Sequence, residues 1–234
     1  MNIAIVPAAG KSRRMKKNKN KVFLNLHGRP ILYYSLRALN ASAYIDQIIV
    51  LLGSEREIKK LKKELAGWRL PKVIALIRGG RTRQETVFKG LKFLDCAGVK
   101  KNDIIIVHNG ANPFVTKQEI KNSIALTRKF GASLVARKST ATVKYIKRAN
   151  GQLFVKQTVD RNRVWLAETP QTFSFAAGYR AYRKADKRKI RATDDAYLLE
   201  QAGIKVAVVE AAPDNIKITR PEDLTKAEII IKRK

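Results

Sequence analysis

Short runs of branched apolar residues, each followed by a longer segment with apolar positions at helical spacing, constrain this chain more than any other feature. Ile3–Val6, Gln47–Leu52, Lys72–Ile77, Ile104–Val107 and Ala132–Ala136 read as strands. Ile31–Leu39 opened by Pro30, Glu55–Leu65 behind Ser54, Thr82–Leu94, and Lys117–Lys129 behind Thr116 read as helices. Strands alternating with helices predict an α/β architecture, a mostly parallel sheet with helices on both faces. Ligands of such sheets lie beyond the carboxyl ends of the strands, so the informative loops follow Val6, Ile77, Val107 and Ala136.

The alternation breaks between 138 and about 161. Thr142–Lys147 and Leu153–Gln157 flank Ala149-Asn150-Gly151-Gln152, and Asn-Gly between two alternating runs predicts a hairpin. A protruding β-hairpin arm has exposed edges and an apolar face, which a symmetric partner would cover. The chain then returns through Val164–Thr169, a helix around Asp194–Ala202, a strand Val206–Val209 and a closing helix Glu222–Ile231. Residues 1–234 read as one domain with this single excursion.

The 49 Lys and Arg against 19 Asp and Glu give a net charge of +30. A nucleic-acid binder would need its cations in a groove interleaved with aromatics. Here they punctuate apolar segments along the whole chain, aromatics are 7% of residues, and solvated basic faces account for the pattern. No specific nucleic-acid partner is expected. No apolar run approaches the roughly 20 residues of a membrane helix, and the amino-terminal run reads as a strand rather than a signal peptide. One cysteine, Cys96 at a predicted helix end, excludes an internal disulfide and reads as structural. A cytoplasmic protein is the expectation.

The first loop carries the chemistry. Ile5-Val6-Pro7-Ala8-Ala9-Gly10 ends a strand in small residues, and Lys11, Arg13, Arg14, Lys16, Lys17, Lys19 and Lys21 follow. Small residues allow a base or phosphate to approach backbone N–H donors, and the cations suit a triphosphate. The pattern is neither a Walker loop nor a dinucleotide fingerprint. By itself it favours nucleotide binding over a basic surface loop after an ordinary strand. Four more segments join it: Gly79-Gly80-Arg81-Thr82-Arg83-Gln84-Glu85-Thr86-Val87, His108-Asn109-Gly110-Ala111-Asn112-Pro113, Ala192-Thr193-Asp194-Asp195, and Asp214-Asn215-Ile216-Lys217-Ile218-Thr219. With Thr158-Val159-Asp160-Arg161-Asn162 and Thr169-Pro170-Gln171, these occur in the order seen in the 2-C-methyl-D-erythritol 4-phosphate cytidylyltransferase family, which the chain resembles from end to end.

The resemblance implies a Rossmann-like nucleotidyltransferase fold, a homodimer clasped through the hairpin arm, and transfer of CMP from CTP to 2-C-methyl-D-erythritol 4-phosphate with Mg²⁺ and release of pyrophosphate, in isoprenoid precursor synthesis. Residue by residue it implies Arg14, Lys21 and Lys217 as catalytic cations. It implies Ala8, Ala9, Gly10, Gly80, Arg81 and Thr86 around the nucleotide. Arg161, Thr142, Asn109 and Asn112 would meet the acceptor, with Asn109 and Asp214 near the metal. The residues themselves allow blander parts: surface cations at 14 and 217, a hairpin-base charge beside Asp160 at 161, a strand filler at Thr142, helix-start residues at Asp194 and Asp195, a turn residue at His27 and a structural His108. Two departures fall inside the motif. Where the family has His-Asp-Ala-Ala-Arg-Pro, this chain has Asn109 for the aspartate and Asn112 for the arginine, and Arg81 stands where the family commonly has an acid. Asn109 keeps a carbonyl but no charge, and Asn112 keeps donors but not the bidentate fork that suits phosphate. The acceptor could therefore be another polyol phosphate such as ribitol 5-phosphate, or the chain could bind nucleotide and catalyse poorly.

Overall fold

The computed structural model describes residues 1–10 and 20–233, so Arg14 and its neighbours from Lys11 to Lys19 lie outside the described residues. In chain order the elements are β1 (Asn2–Ala8), β2 (Asn25–Leu26), β3 (Arg29–Pro30), α1 (Ile31–Ala41), β4 (Gln47–Leu52), α2 (Glu55–Trp68), β5 (Val73–Arg78) and α3 (Arg83–Cys96). Then come β6 (Ile104–Val107), α4 (Lys117–Phe130), β7 (Ala132–Lys138), β8 (Val143–Ala149), β9 (Gln152–Val159), β10 (Trp165–Ser174), α5 (Phe175–Lys187), α6 (Asp195–Gln201), β11 (Val206–Glu210) and α7 (Pro221–Lys232). Helices start where the sequence offers caps: Ser54, Thr82 and Thr116 accept the backbone N–H of Glu57, Glu85 and Glu119.

Seven strands form one sheet in the order β5-β4-β1-β6-β10-β7-β11. All are parallel except β10, which runs antiparallel between β6 and β7. The period of two splits the central strands cleanly. Ala4, Val6, Ile48, Val50, Ile104 and Ile106 face a core with α1, α2 and α4. Ile3, Ile5, Ile49, Leu51, Ile105 and Val107 face a second core with α3, α5 and α6. Burial on both faces explains why these strands read as unbroken apolar runs.

The return segment departs from expectation. β10 runs on to Ser174, and α5, which the sequence reading passed over, fills the second core with Phe175, Ala181, Tyr182 and Ala185. The arm forms as expected, with Asn150 (φ 49°) and Gly151 (φ 76°) in a turn that needs two positive φ values. Thr142 lies just before β8, not within it. Along the arm Tyr145, Ile146, Leu153, Phe154 and Val155 are each about half exposed or more. Cys96 ends α3 and is exposed, so it is not a core residue.

Candidate active site

The order in which strands are added reverses at β1: β4 lies on one side of it and β6 on the other, all three parallel, which opens a crevice at the carboxyl ends of β1 and β6. A cleft of about 650 Å³ occupies it, lined among others by Ala8, Ala9, Gly10, Lys21, Gly80, Arg81, Arg83, Thr86, Asn109 and Lys217. That is ample for a nucleotide. A smaller cavity of about 480 Å³, among Lys101, Phe175, Tyr179 and Arg183, lies toward the amino ends of the strands.

Two loops frame the cleft. Asn20 donates to the carbonyl of Ala8 (2.6 Å) and accepts from the N–H of Val22, tying the returning chain and Lys21 to the end of β1. On the opposite wall the Thr86 hydroxyl is spent on backbone: it accepts from the Gly80 N–H (3.0 Å) and donates to the Thr82 carbonyl (2.8 Å). A Cβ at Gly79 would lie 2.7 Å from the Ala9 Cβ, so only glycine lets the loops approach this closely.

The floor is the loop after β6. His108 is fully buried, and the carbonyl of Asn112, which can only accept, places the ring proton on Nε2 (2.9 Å). Nδ1 therefore accepts from the Thr169 hydroxyl (3.1 Å). Burial lowers the His108 pKa to about 4, so the ring is a neutral brace, not a base. Asn109 is gripped from both sides: its Oδ1 accepts from Arg83 Nε (3.1 Å), and its Nδ2 points at Asn112 and Thr169. Arg83 itself forks onto the fully buried Asp195 at 2.8 and 2.6 Å, and the Tyr182 hydroxyl donates to the same carboxylate. Asp194 caps α6 by accepting from the N–H of Tyr197, the helix-start role read from sequence.

Lys217 is carried by an irregular segment, not the strand its alternation suggested. Its anchor is Glu119. One oxygen accepts from Asn215 Nδ2 (2.8 Å) and the Ala212 N–H (2.9 Å), and the other closes the capping box of α4. Asn215 also donates to the Thr169 carbonyl, and the Ile218 N–H bonds to the Ala111 carbonyl.

Of the residues singled out from sequence, Lys21, Lys217, Ala8, Ala9, Gly10, Gly80, Arg81, Thr86 and Asn109 share this cleft. Asn112 is buried beneath it. Asp214 is not a lining residue, and Thr142 and Arg161 belong to the arm, also outside the lining. Sequence reasoning missed Arg83 and Glu119 as site-builders and left Asp195 open between a helix-start residue and a site residue. The capping box that carries Glu119 was the available signal. Also missed were Arg137 and Glu168, whose side chains pair beside Asn112 at 3.6 Å.

The residues present do not suit a protein-held Mg²⁺. A hard cation seeks anionic oxygen. No carboxylate lines the cleft among the described residues, and residues 11–19 contain none. The oxygen of Asn109 already accepts from a guanidinium, and the described residues gather no group of three His, Cys, Asp or Glu.

Comparison with known proteins agrees with this geometry. A family model described as 2-C-methyl-D-erythritol 4-phosphate cytidylyltransferase matches residues 2–233. A protein of that name from Clostridium acetobutylicum is 38% identical over all of this chain and 98% of its own length, and one from Bacillus velezensis is 37% identical over 98% and 95%. The crystal structure of a 4-diphosphocytidyl-2C-methyl-D-erythritol synthase from Anaerococcus prevotii superposes with a TM-score of 0.83 at 29% identity, over 99% of this chain and 96% of that one. A cytidylyltransferase structure from Thermus thermophilus gives 0.75 at 25%, over 99% and 100%. A two-faced α/β sheet, a cationic cleft at its switch point and full-length similarity together settle the question: the chain belongs to the 2-C-methyl-D-erythritol 4-phosphate cytidylyltransferase family.

Proposed function

We propose that the cleft binds CTP and that the chain transfers its cytidylyl group to 2-C-methyl-D-erythritol 4-phosphate. The observation that carries this reading is the cleft wall itself. The ends of β1 and the Gly79-Gly80 loop offer backbone and small side chains to a nucleoside, while Lys21, Arg81, Arg83 and Lys217 face the space a triphosphate would fill.

A phosphate oxygen of the acceptor attacks the α-phosphorus of CTP in line. The new P–O bond forms as the bond to the β-phosphate oxygen breaks, and pyrophosphate leaves with that electron pair. Negative charge builds on the α-phosphate and the leaving group, so the work of the protein is positioning and charge stabilisation. Lys21 and Lys217 are assigned to it, with Arg14 as a third cation. The acceptor phosphate is already ionised, which removes any need for a general base and agrees with a neutral, braced His108. A Mg²⁺ ion would come with the triphosphate rather than be held by a carboxylate of this chain, and would neutralise part of its charge.

The half-exposed apolar arm supports a homodimer in which each arm clasps the partner and brings Arg161 and Thr142 to its site. Among the described residues no helix is long and apolar enough to cross a membrane, and we place the reaction in the cytoplasm. Asn109 and Asn112 favour one second reading, a different polyol phosphate such as ribitol 5-phosphate as acceptor. Pyrophosphate release with CTP and each acceptor decides between them. Calorimetry showing no preference for CTP over ATP refutes the nucleotide assignment.

A further inference from the structure

Beneath the cleft lies a polar cluster with unusually slack internal bonding. Asn112 Nδ2 reaches Glu168 Oε2 and Asn215 Oδ1, and Asn109 Nδ2 reaches Asn112 Oδ1, all at 3.4 Å. Amide hydrogen bonds ordinarily close to 2.9–3.0 Å. Arg137, next to last in β7 and so at the carboxyl end of the sheet, donates Nη2 to the Asn215 carbonyl at 2.7 Å. Its Nε is buried with no hydrogen-bond partner, 3.6 Å from Glu168 Oε1. About a third of the Arg137 side chain remains exposed. Burial raises the Glu168 carboxyl pKa against the pull of Arg137, the Asn112 amide and Lys217. Lys217 lines the cleft, so this cluster adjoins it.

An under-bonded guanidinium, a carboxylate and an amide, gathered on one side of a cationic cleft, match a ligand that has both a phosphate and hydroxyl groups. We propose that Arg137 is a specificity-determining residue that grips the phosphate of the acceptor polyol, while Glu168, held from beneath by the buried Asn112, bonds its hydroxyls. This rests on the transferase reading above and deepens it. Arg137 and Asn112 share both partners, Glu168 and Asn215, so the guanidinium occupies the neighbourhood where position 112 itself offers only an amide. The planar fork suits a phosphate better than an ammonium does.

The test is calorimetric, with CTP and 2-C-methyl-D-erythritol 4-phosphate titrated separately into the intact protein and its variants, beside steady-state kinetics. Arg137→Met is expected to weaken acceptor binding at least tenfold and raise the acceptor KM equally, with kcat within threefold and CTP affinity within twofold. Arg137→Lys keeps the charge but not the fork, and is expected to fall between. Acceptor affinity within twofold of wild type in Arg137→Met overturns the proposal. So does equal weakening of both ligands with a lowered melting temperature, the mark of a structural arginine. If Arg137→Met fails to fold, unchanged acceptor affinity in Arg137→Lys overturns it instead. Wild-type protein that ignores CTP refutes the parent reading and not this one.

Discussion

Asp195→Asn tests the buried charge pair that shapes the cleft wall. Asp195 is fully buried and accepts two bonds from Arg83 and one from Tyr182. An amide keeps the shape but removes the charge and turns one acceptor into a donor aimed at a donor. Breaking a buried pair from one side costs about 3–5 kcal/mol, because the surviving charge is left unmatched. Arg83 keeps a quarter of its side chain exposed, so water softens the penalty toward about 3 kcal/mol. For a chain of this size that is a fall of roughly 6–12 °C in melting temperature. Urea unfolding followed by tryptophan fluorescence measures it. The double variant Arg83→Met with Asp195→Asn removes both charges and should recover to within about 1 kcal/mol of wild type, while losing nucleotide affinity, because Arg83 also holds Asn109. A loss below about 1 kcal/mol for Asp195→Asn, or a double variant worse than either single one, refutes the reasoning.

Other outcomes follow from the same geometry. The unfolded chain protonates His108 near pH 6.5 and the folded chain only near 4, so stability is complete above about 6.5 and is lost as pH falls. Between pH 7 and 4.5 the loss is about 2–3 kcal/mol, and His108→Gln should flatten that part of the urea-unfolding profile. Lys217→Ala should lower kcat/KM by about 10²–10³, the cost of one charge-stabilising donor, and leave the melting temperature nearly unchanged. Leu153→Glu with Val155→Glu places charges on the exposed apolar arm and should convert the proposed dimer to monomers in light scattering; a wild-type monomer refutes the proposed dimer, and a variant that remains dimeric locates the interface elsewhere.

The frame was legible because its signals are local. β1, β4 and β6 are buried on both faces and read as apolar runs, Ser54, Thr82 and Thr116 announce their helices, and Asn150-Gly151 announces the arm. What escaped depends on residues far apart in sequence. The inward face of α5, with Phe175, Gly178, Ala181, Tyr182 and Ala185, repeats at helical spacing, but three of those five residues are Gly or Ala and the helix was passed over. The inner half of β10 carries Thr169, Gln171 and Thr172, which look like surface residues yet are buried. Gln171 explains its own burial by accepting from the first N–H groups of α6, at Asp195 and Ala196. Arg83 and Asp195 stand 112 positions apart, and Arg137 acquires meaning only once β7 lies beside β10. The motifs were readable, but the contacts that set the angle of each side chain were not.

Glu119 joins two places that sequence keeps far apart. Its one carboxylate closes the first turn of α4 and also pins residues 212 and 215, just ahead of Lys217. Neither contact can be released without disturbing the other. The carboxy-terminal strap and the start of α4 therefore open as a single cooperative unit, and their slowest amides should exchange with deuterium at one common rate.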